Sequence, residues 1–142
     1  MSIKEAESEI ISEFEMFEDW MDKYNHLIEL GKSIPLIDDK NKTPQYLIKG
    51  CQSQVWLHAT YDNGKVYFTA DSDALITKGI IALLLRVLSE RTPDEIINAE
   101  LNFIDKIGLK EHLSPTRANG LVNMVKQIKL YAKAFKAKQE KE

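Results

Sequence analysis

Two alternating apolar and polar segments that flank Asn63-Gly64 require the chain to form an antiparallel β-hairpin. Asn-Gly favours a type I′ turn, because both residues of that turn adopt positive φ. The flanking segments, residues 55–61 and 65–70, are rich in β-branched and aromatic side chains. A two-residue turn fixes the register and predicts one buried face, made of Leu57, Ala59, Tyr61, Val66, Phe68 and Ala70.

The hairpin is preceded by sequence with helical periodicity. Apolar residues recur at spacings of three and four in one stripe, and Asp19 can cap a second helix. The stripe consists of Ile3, Ala6, Ile10, Phe14, Phe17, Met21, Tyr24 and Ile28. Residues 31–45 have the composition of a loop, and residues 46–48 are a candidate for a short third strand.

Helical patterns also follow the hairpin. The stretch around Ile80 is apolar on most sides and predicts the most buried helix, with residues 71–73 available to cap it. Residues 92–95 form a capping box with proline at the first helical position. Ser114-Pro115 begins the last helix, whose predicted apolar face is Leu121, Val125, Ile128, Ala132 and Phe135.

This order of elements predicts the α+β class: a small antiparallel sheet of about three strands, packed against N- and C-terminal helices. We expect a single domain over residues 1–142, with a core at roughly 5–136 and a lysine-rich tail at 137–142 that frays.

Composition narrows the classes of function. The chain has 142 residues and a net charge of −3, so a nucleic-acid footprint is not expected. Its one cysteine excludes an internal disulfide and a cysteine-based zinc site, and no metal site is predicted. The run at residues 80–85 is too short to span a membrane, and the N-terminus lacks a signal-peptide pattern. We therefore expect a cytoplasmic protein.

The single cysteine, Cys51, stands in the segment KGCQSQVW between two strand candidates. A lone cysteine often serves as a small buried hydrophobe. The polar neighbours Gln52, Ser53 and Gln54 favour a functional interpretation, because the amides of a turn can stabilise a thiolate or a transferred sulfur. Gly50 provides a flexible backbone position, and we expect Cys51 to be partly buried.

A cysteine hydrolase is the main enzymatic alternative, and it needs a histidine near Cys51. His26, His58 and His112 are all distant in sequence or on unsuitable elements, and each fits an ordinary partly exposed histidine. Arg117, in the first turn of the last helix, is either a surface residue or a guanidinium beside a pocket.

Four segments, in order, resemble the SufE family of sulfur-acceptor proteins, and the resemblance covers roughly residues 10–135. The segments are WMDKYNHLIELGKSIP (20–35), GCQSQVW (50–56), ADSDALITKGIIALLL (70–85) and LSPTRANGL (113–121). GCQSQVW is the most specific of the four.

The resemblance implies a fold similar to that of the iron–sulfur scaffold proteins. It also implies that Cys51 takes sulfur from a cysteine desulfurase of the SufS or CsdA type, carries it as a persulfide, and passes it to a SufBCD-type scaffold. Such a protein would stimulate the desulfurase without being an enzyme. It would hold no cofactor itself, since pyridoxal phosphate belongs to the partner, and it would be a monomer or weak homodimer.

Within the family pattern, Arg117 matches an arginine implicated in the partner interaction. Asp73 matches an aspartate near the cysteine loop. Trp56, together with Gly50 and the polar residues 52–54, would support that loop. A partner-binding module without thiol chemistry stays open as a third interpretation.

Overall fold

The computed structural model describes residues 1–141 and shows the predicted α+β architecture. Its elements are α1 (Ile3–Glu15), α2 (Trp20–Gly31), β1 (Val55–Asp62), β2 (Lys65–Ser72), α3 (Leu75–Leu88), α4 (Pro93–Asn98), α5 (Phe103–Lys106) and α6 (Pro115–Lys141). Short 3₁₀ turns occur at Asp39–Asn41, Pro44–Tyr46 and Lys110–His112.

The β1–β2 hairpin has the predicted register. Tyr61 pairs with Val66, Ala59 with Phe68 and Leu57 with Ala70. The turn residues Asn63 and Gly64 have φ values of 50° and 80°, as a type I′ turn requires. The predicted inner face is buried at Leu57, Val66, Phe68 and Ala70 and partly buried at Ala59 and Tyr61.

The expected third strand does not form. The candidate covered residues 46–48, and its first residue, Tyr46, ends a 3₁₀ turn at Pro44–Tyr46. Leu47 makes only an isolated bridge to Trp56, and the Ile48 N–H donates to the Val55 carbonyl at 2.8 Å. Within residues 1–141 the sheet therefore has two strands.

The N-terminal stripe is divided between two helices. Asp19 caps α2, as predicted, by accepting a hydrogen bond from the Asp22 N–H at 2.9 Å. The interruption at residues 16–19 changes the phase of the apolar positions. As a result Met21, which the single stripe placed in the core, is exposed, and Leu27 is the fully buried side chain of α2.

Helix α3 lies at the centre of the structure and is the most buried helix, as predicted. Ten of its fourteen residues are buried, and it packs against α1, α2, β2 and α6. Leu75, at its first position, is exposed. No helix among the described residues is long and apolar enough to cross a bilayer.

Residues 71–73 do not cap α3, contrary to the sequence prediction. The N-cap residue is Ala74, which contributes no side-chain hydrogen bond. Asp71 is instead held by Lys42 and Lys78, at 2.5 and 3.2 Å. Asp73 turns its carboxylate away from the helix, toward the loop that carries the cysteine.

The C-terminal elements follow the predicted pattern. The capping box at Thr92 and Glu95 is formed in both directions. Helix α6 buries Leu121, Ile128 and Ala132, with Val125 and Phe135 partly buried. The helix continues through the lysine-rich tail to residue 141, where fraying was predicted. The strong helix propensity of alanine, lysine, glutamine and glutamate accounts for this. Residue 142 lies outside the described residues.

Substitution of Gly79 by alanine tests the central packing. A Cβ at Gly79 would collide with the Leu27 carbonyl group on α2. Alanine normally stabilises a helix relative to glycine by about 1 kcal/mol. Here we expect Gly79→Ala to lower the free energy of unfolding by about 1–3 kcal/mol, because two backbones must separate. Urea denaturation measures this, with exposed Asn119→Ala as a control that stays within about 0.5 kcal/mol of wild type. A Gly79→Ala protein as stable as wild type would contradict the packing described.

Candidate functional site

The loop that carries Cys51 is fixed at its N-terminal end by α6. Gly50 has a φ of 85°, a region that side-chain-bearing residues rarely adopt. A Cβ at Gly50 would also collide with the side-chain amide of Asn123, whose Nδ2 donates to the Gly50 carbonyl oxygen at 3.1 Å. The positive φ therefore favours glycine immediately before the cysteine, and a Cβ there would also displace the Asn123 amide from its hydrogen bond.

The C-terminal end of the same loop is fixed by the corner between β2 and α3. The Gln54 N–H donates to Asp73 Oδ1 at 3.0 Å. The Gln54 carbonyl oxygen accepts from Ser72 Oγ at 2.8 Å and from the Asp73 N–H at 3.3 Å. Three hydrogen bonds thus converge on one residue, so residues 51–53 lie between two fixed points.

Cys51 faces a narrow cleft between the N-terminal part of α3 and that of α6. We call it the Cys51 cleft, and its volume is about 70 Å³. The thiol is partly buried, as predicted, and donates to the Gly120 carbonyl oxygen with an Sγ–O distance of 3.7 Å. The cleft is lined by Cys51, Gln52, Ser53, Thr77, Ile80, Thr116, Arg117, Gly120 and Met124.

Burial raises the pKa of the Cys51 thiol. The resting side chain is therefore a thiol, and its hydrogen bond to a carbonyl also suits the protonated form. The sequence suggested that loop amides stabilise a thiolate, and in this conformation no backbone N–H of residues 1–141 donates to Sγ. Arg117, the cation of the cleft, is exposed and lies in the first turn of α6.

The structure brings most of the predicted site residues together. Gln52, Ser53 and Arg117 line the cleft with Cys51, whereas Gly50, Gln54 and Asp73 fix the loop. Trp56 is the exception. It lies on β1 beside Lys42, whose Nζ is 5.7 Å from its ring centroid, and it is not among the cleft residues.

Sequence reasoning missed the walls of the cleft. Thr77 and Ile80 come from α3, and Gly120 and Met124 come from α6. The spacings of three and four residues place each pair on one helix face, which was readable from the sequence. What the sequence did not reveal is that these two faces meet at the cysteine.

All three histidines have other surroundings. His26 contacts Glu13 at 3.0 Å, and His58 packs on the ring of Tyr46. His112 stacks on Trp20 with a centroid distance of 3.9 Å. Each of these histidines lies in the described part of the chain, and none lines the Cys51 cleft. This arrangement does not support a cysteine–histidine hydrolase.

Other features of the described residues offer no competing site chemistry. No group of three or more His, Cys, Asp or Glu side chains among residues 1–141 is placed to hold a metal ion. A larger hollow of about 580 Å³ lies between α2, β2 and α3, and its lining is mostly apolar, without cysteine or histidine. Ser89, which lines this hollow, already accepts a hydrogen bond from the Phe68 N–H at 3.0 Å.

The fold and the site define a small α+β protein that presents one cysteine on a loop fixed at both ends. A family model described as "SufE: Fe-S metabolism associated domain" matches residues 8–132. An uncharacterized SufE-like protein of Rhizobium meliloti is 41% identical over 126 residues, which cover 85% of this chain and 90% of the relative. One of Rhizobium etli is 42% identical over 130 residues and 88% of each chain. The chain belongs to the SufE family, which is associated with iron–sulfur metabolism.

A solved structure supports the fold independently. The solution structure of a hypothetical protein from Thermus thermophilus superposes with a TM-score of 0.74 and covers 91% of this chain and 94% of its own. The two sequences are 19% identical, so the likeness concerns the fold alone.

Removal of the Asp73 carboxylate should loosen the loop. Asp73→Ala deletes the acceptor of the Gln54 N–H, and we expect Cys51 to react with iodoacetamide several-fold faster because the loop opens more often. Mass spectrometry of quenched samples follows the reaction. Asp38→Ala is the matched control, because Asp38 is exposed and its side chain makes no capping hydrogen bond. Equal rates in Asp73→Ala and wild type would show that this bond does not restrain the thiol.

Burial of Cys51 also predicts a pH dependence. Since its pKa is raised on folding, the alkylation rate of the native protein should rise at higher pH than that of the urea-unfolded chain. The native state keeps its proton longer, so this thiol's contribution to stability should fall as pH rises above about 8.5. Comparison with Cys51→Ala isolates that contribution. If the pH midpoint of alkylation in the native protein were at or below that of the unfolded chain, the pKa of Cys51 would not be raised by folding.

Proposed function

We propose that the protein accepts sulfur from a cysteine desulfurase onto Cys51 and delivers it to an iron–sulfur scaffold, stimulating the desulfurase. The observation that carries this proposal is the placement of Cys51, the one cysteine of the chain, in a small cleft on a fixed loop. Membership of a family associated with iron–sulfur metabolism supplies the chemical context.

The transfer step needs only a thiolate and a persulfide donor. Ionised Cys51 attacks the outer sulfur of the donor's persulfide, the donor's sulfur–sulfur bond breaks, and the donor cysteine leaves as a thiolate. One sulfur–sulfur bond forms as another breaks, so no external oxidant or reductant takes part. Delivery to a scaffold thiolate repeats the exchange with Cys51 as the leaving group.

The raised pKa of Cys51 fits a carrier that is activated by contact with its partner. In the free protein burial keeps the side chain protonated and weakly reactive. A partner that draws the loop away from Gly120 would expose the thiol to water and to the partner's own charges. Ionisation would then accompany docking, which confines reactivity to the productive complex.

The same arrangement supports an accessory role rather than catalysis by this chain. The three histidines lie away from the thiol, so a general base would have to come from the partner. Pyridoxal phosphate would likewise belong to the desulfurase, of the SufS or CsdA type. The receiving scaffold would be of the SufBCD type. We propose that these encounters take place in the cytoplasm.

Sulfur uptake is tested directly by intact mass. The protein is incubated with a desulfurase, pyridoxal phosphate and cysteine, and we expect gains of about 32 Da per sulfur that a thiol reductant reverses. Cys51→Ser should show no gain while keeping its fold, because the hydroxyl cannot form a persulfide. Uptake by Cys51→Ser would contradict the assignment.

A matched control variant tests whether sulfur uptake depends on the position of the thiol in the loop and not only on the presence of a thiol. The double variant Cys51→Ser with Ser53→Cys keeps one thiol in the same loop, two residues further on. We expect it to accept sulfur far more slowly than wild type. Cys51→Ala addresses the binding-only alternative, since full stimulation of the desulfurase by that variant would assign the protein to regulation without sulfur transfer.

A further inference from the structure

The Cys51 cleft contains a polar group that the resting thiol does not use. Thr77 lines the cleft and is 6% exposed, one of two buried polar residues among those described. The other, Asp71, is held by two lysines. Cys51, in contrast, donates to Gly120, and no hydrogen bond joins the Thr77 hydroxyl to any of residues 1–141.

The Thr77 side chain borders the space of the cleft. Every side-chain nitrogen or oxygen that is completely enclosed within the described residues has a hydrogen-bond partner. The Thr77 oxygen is not among the completely enclosed atoms that lack a partner, so it keeps some access to solvent, and the cleft is a space that its side chain borders. A hydroxyl with little exposed surface and no protein partner is available to hydrogen-bond to a group that enters the cleft.

The dimensions of the cleft suit one small group attached to Cys51. Its volume of about 70 Å³ exceeds the space that one water molecule needs but excludes a bulky ligand. The absence of a side chain at Gly120 leaves space next to Sγ, since a Cβ at this position would be in van der Waals contact with the sulfur, at 3.5 Å. Ile80 and Met124 contribute apolar side chains to the lining of the cleft.

We propose that Thr77 is a positioning residue for the persulfide: its hydroxyl donates a hydrogen bond to the terminal sulfur when Cys51 carries one. The inference rests on the proposed function and names the place where the carried sulfur is held. The terminal sulfur, once ionised, is a stronger hydrogen-bond acceptor than the neutral thiol of the free protein, whose sulfur accepts only weakly. A hydrogen bond to an ionised acceptor is stronger than one between neutral groups.

This contact would protect the persulfide during transit. With the terminal sulfur held between α3 and α6, a reductant in solution has to wait for the loop to open. The persulfide also loses a hydrogen bond on leaving the cleft, which favours the closed loop when sulfur is present. Thr77 would therefore stabilise the closed loop only when Cys51 carries a persulfide, because only then does its hydroxyl donate a hydrogen bond to a sulfur in the cleft.

The lifetime of the persulfide provides the test. The protein is loaded with sodium polysulfide, whose terminal sulfur passes to the Cys51 thiolate and leaves a polysulfide shorter by one atom. Dithiothreitol then reduces the persulfide to Cys51 thiolate and hydrogen sulfide, becoming a cyclic disulfide, and intact mass follows the loss. We expect Thr77→Val to shorten the persulfide half-life roughly fivefold to tenfold, as loss of a charge-assisted hydrogen bond implies.

Two further variants identify the hydroxyl as the cause. Thr77→Ser keeps the hydroxyl and should retain a half-life near that of wild type. Thr60→Val alters an exposed threonine of β1, outside the cleft, and should have no effect. The thermal unfolding midpoint of Thr77→Val should not be lowered, because valine has the shape of threonine and no protein hydrogen bond is lost.

The outcomes that would overturn the inference are distinct from failure of the proposed function. A wild-type half-life in Thr77→Val, or an equally short one in Thr77→Ser, would show that the hydroxyl does not hold the sulfur. Loading with polysulfide involves no desulfurase, so this result is independent of sulfur uptake from a partner. Absence of uptake from desulfurases would contradict the proposed function and leave the lifetime comparison valid.

Discussion

The close approach of α3 to α2 is the contact on which the rest of the structure depends. Gly79 allows the backbone of α3 to lie against the Leu27 carbonyl group, and ten residues of α3 are buried as a result. Strand β2 of the hairpin and helix α6 also pack against α3. Because Thr77 and Ile80 of α3 form one wall of the Cys51 cleft, the packing of this helix also sets the geometry of the site.

The loop between the two walls combines restraint with the capacity to open. Asn123 holds its beginning and Asp73 holds its end, each through hydrogen bonds to backbone atoms. Such bonds contribute about 1 kcal/mol apiece, so the closed state is favoured without being locked. The carrier role that we propose would need this balance, since the sulfur would have to be shielded in transit and released at the partner. The raised pKa of Cys51 adds a chemical restraint to the geometric one.

Short-range patterns in the sequence predicted the individual turns and helix caps well, but they predicted poorly how the helices and strands contact one another. The Asn63-Gly64 turn, the Asp19 cap and the Thr92 capping box are each decided by a few neighbouring residues, and all three are confirmed. The third strand, predicted at residues 46–48, does not form, because Tyr46 belongs to a 3₁₀ turn and Leu47 makes only an isolated bridge to Trp56. The cysteine and its loop were recognisable from sequence. Thr77 was not, because its importance arises only where α3 and α6 meet. The family resemblance placed Asp73 near the cysteine loop, whereas local rules assigned residues 71–73 to a helix cap, because the bond between Asp73 and Gln54 joins residues nineteen positions apart.

A two-stage transfer of sulfur, from a desulfurase to Cys51 and from Cys51 to a scaffold, is the measurement that bears most directly on our proposal. The protein is loaded with radiolabelled sulfur by a desulfurase and cysteine, separated from both, and then mixed with an iron–sulfur scaffold in the absence of any other sulfur source. We expect the label to move to the scaffold in proportion to its loss from Cys51. Retention of the label on Cys51, or its release as free sulfide without transfer, would contradict the carrier role.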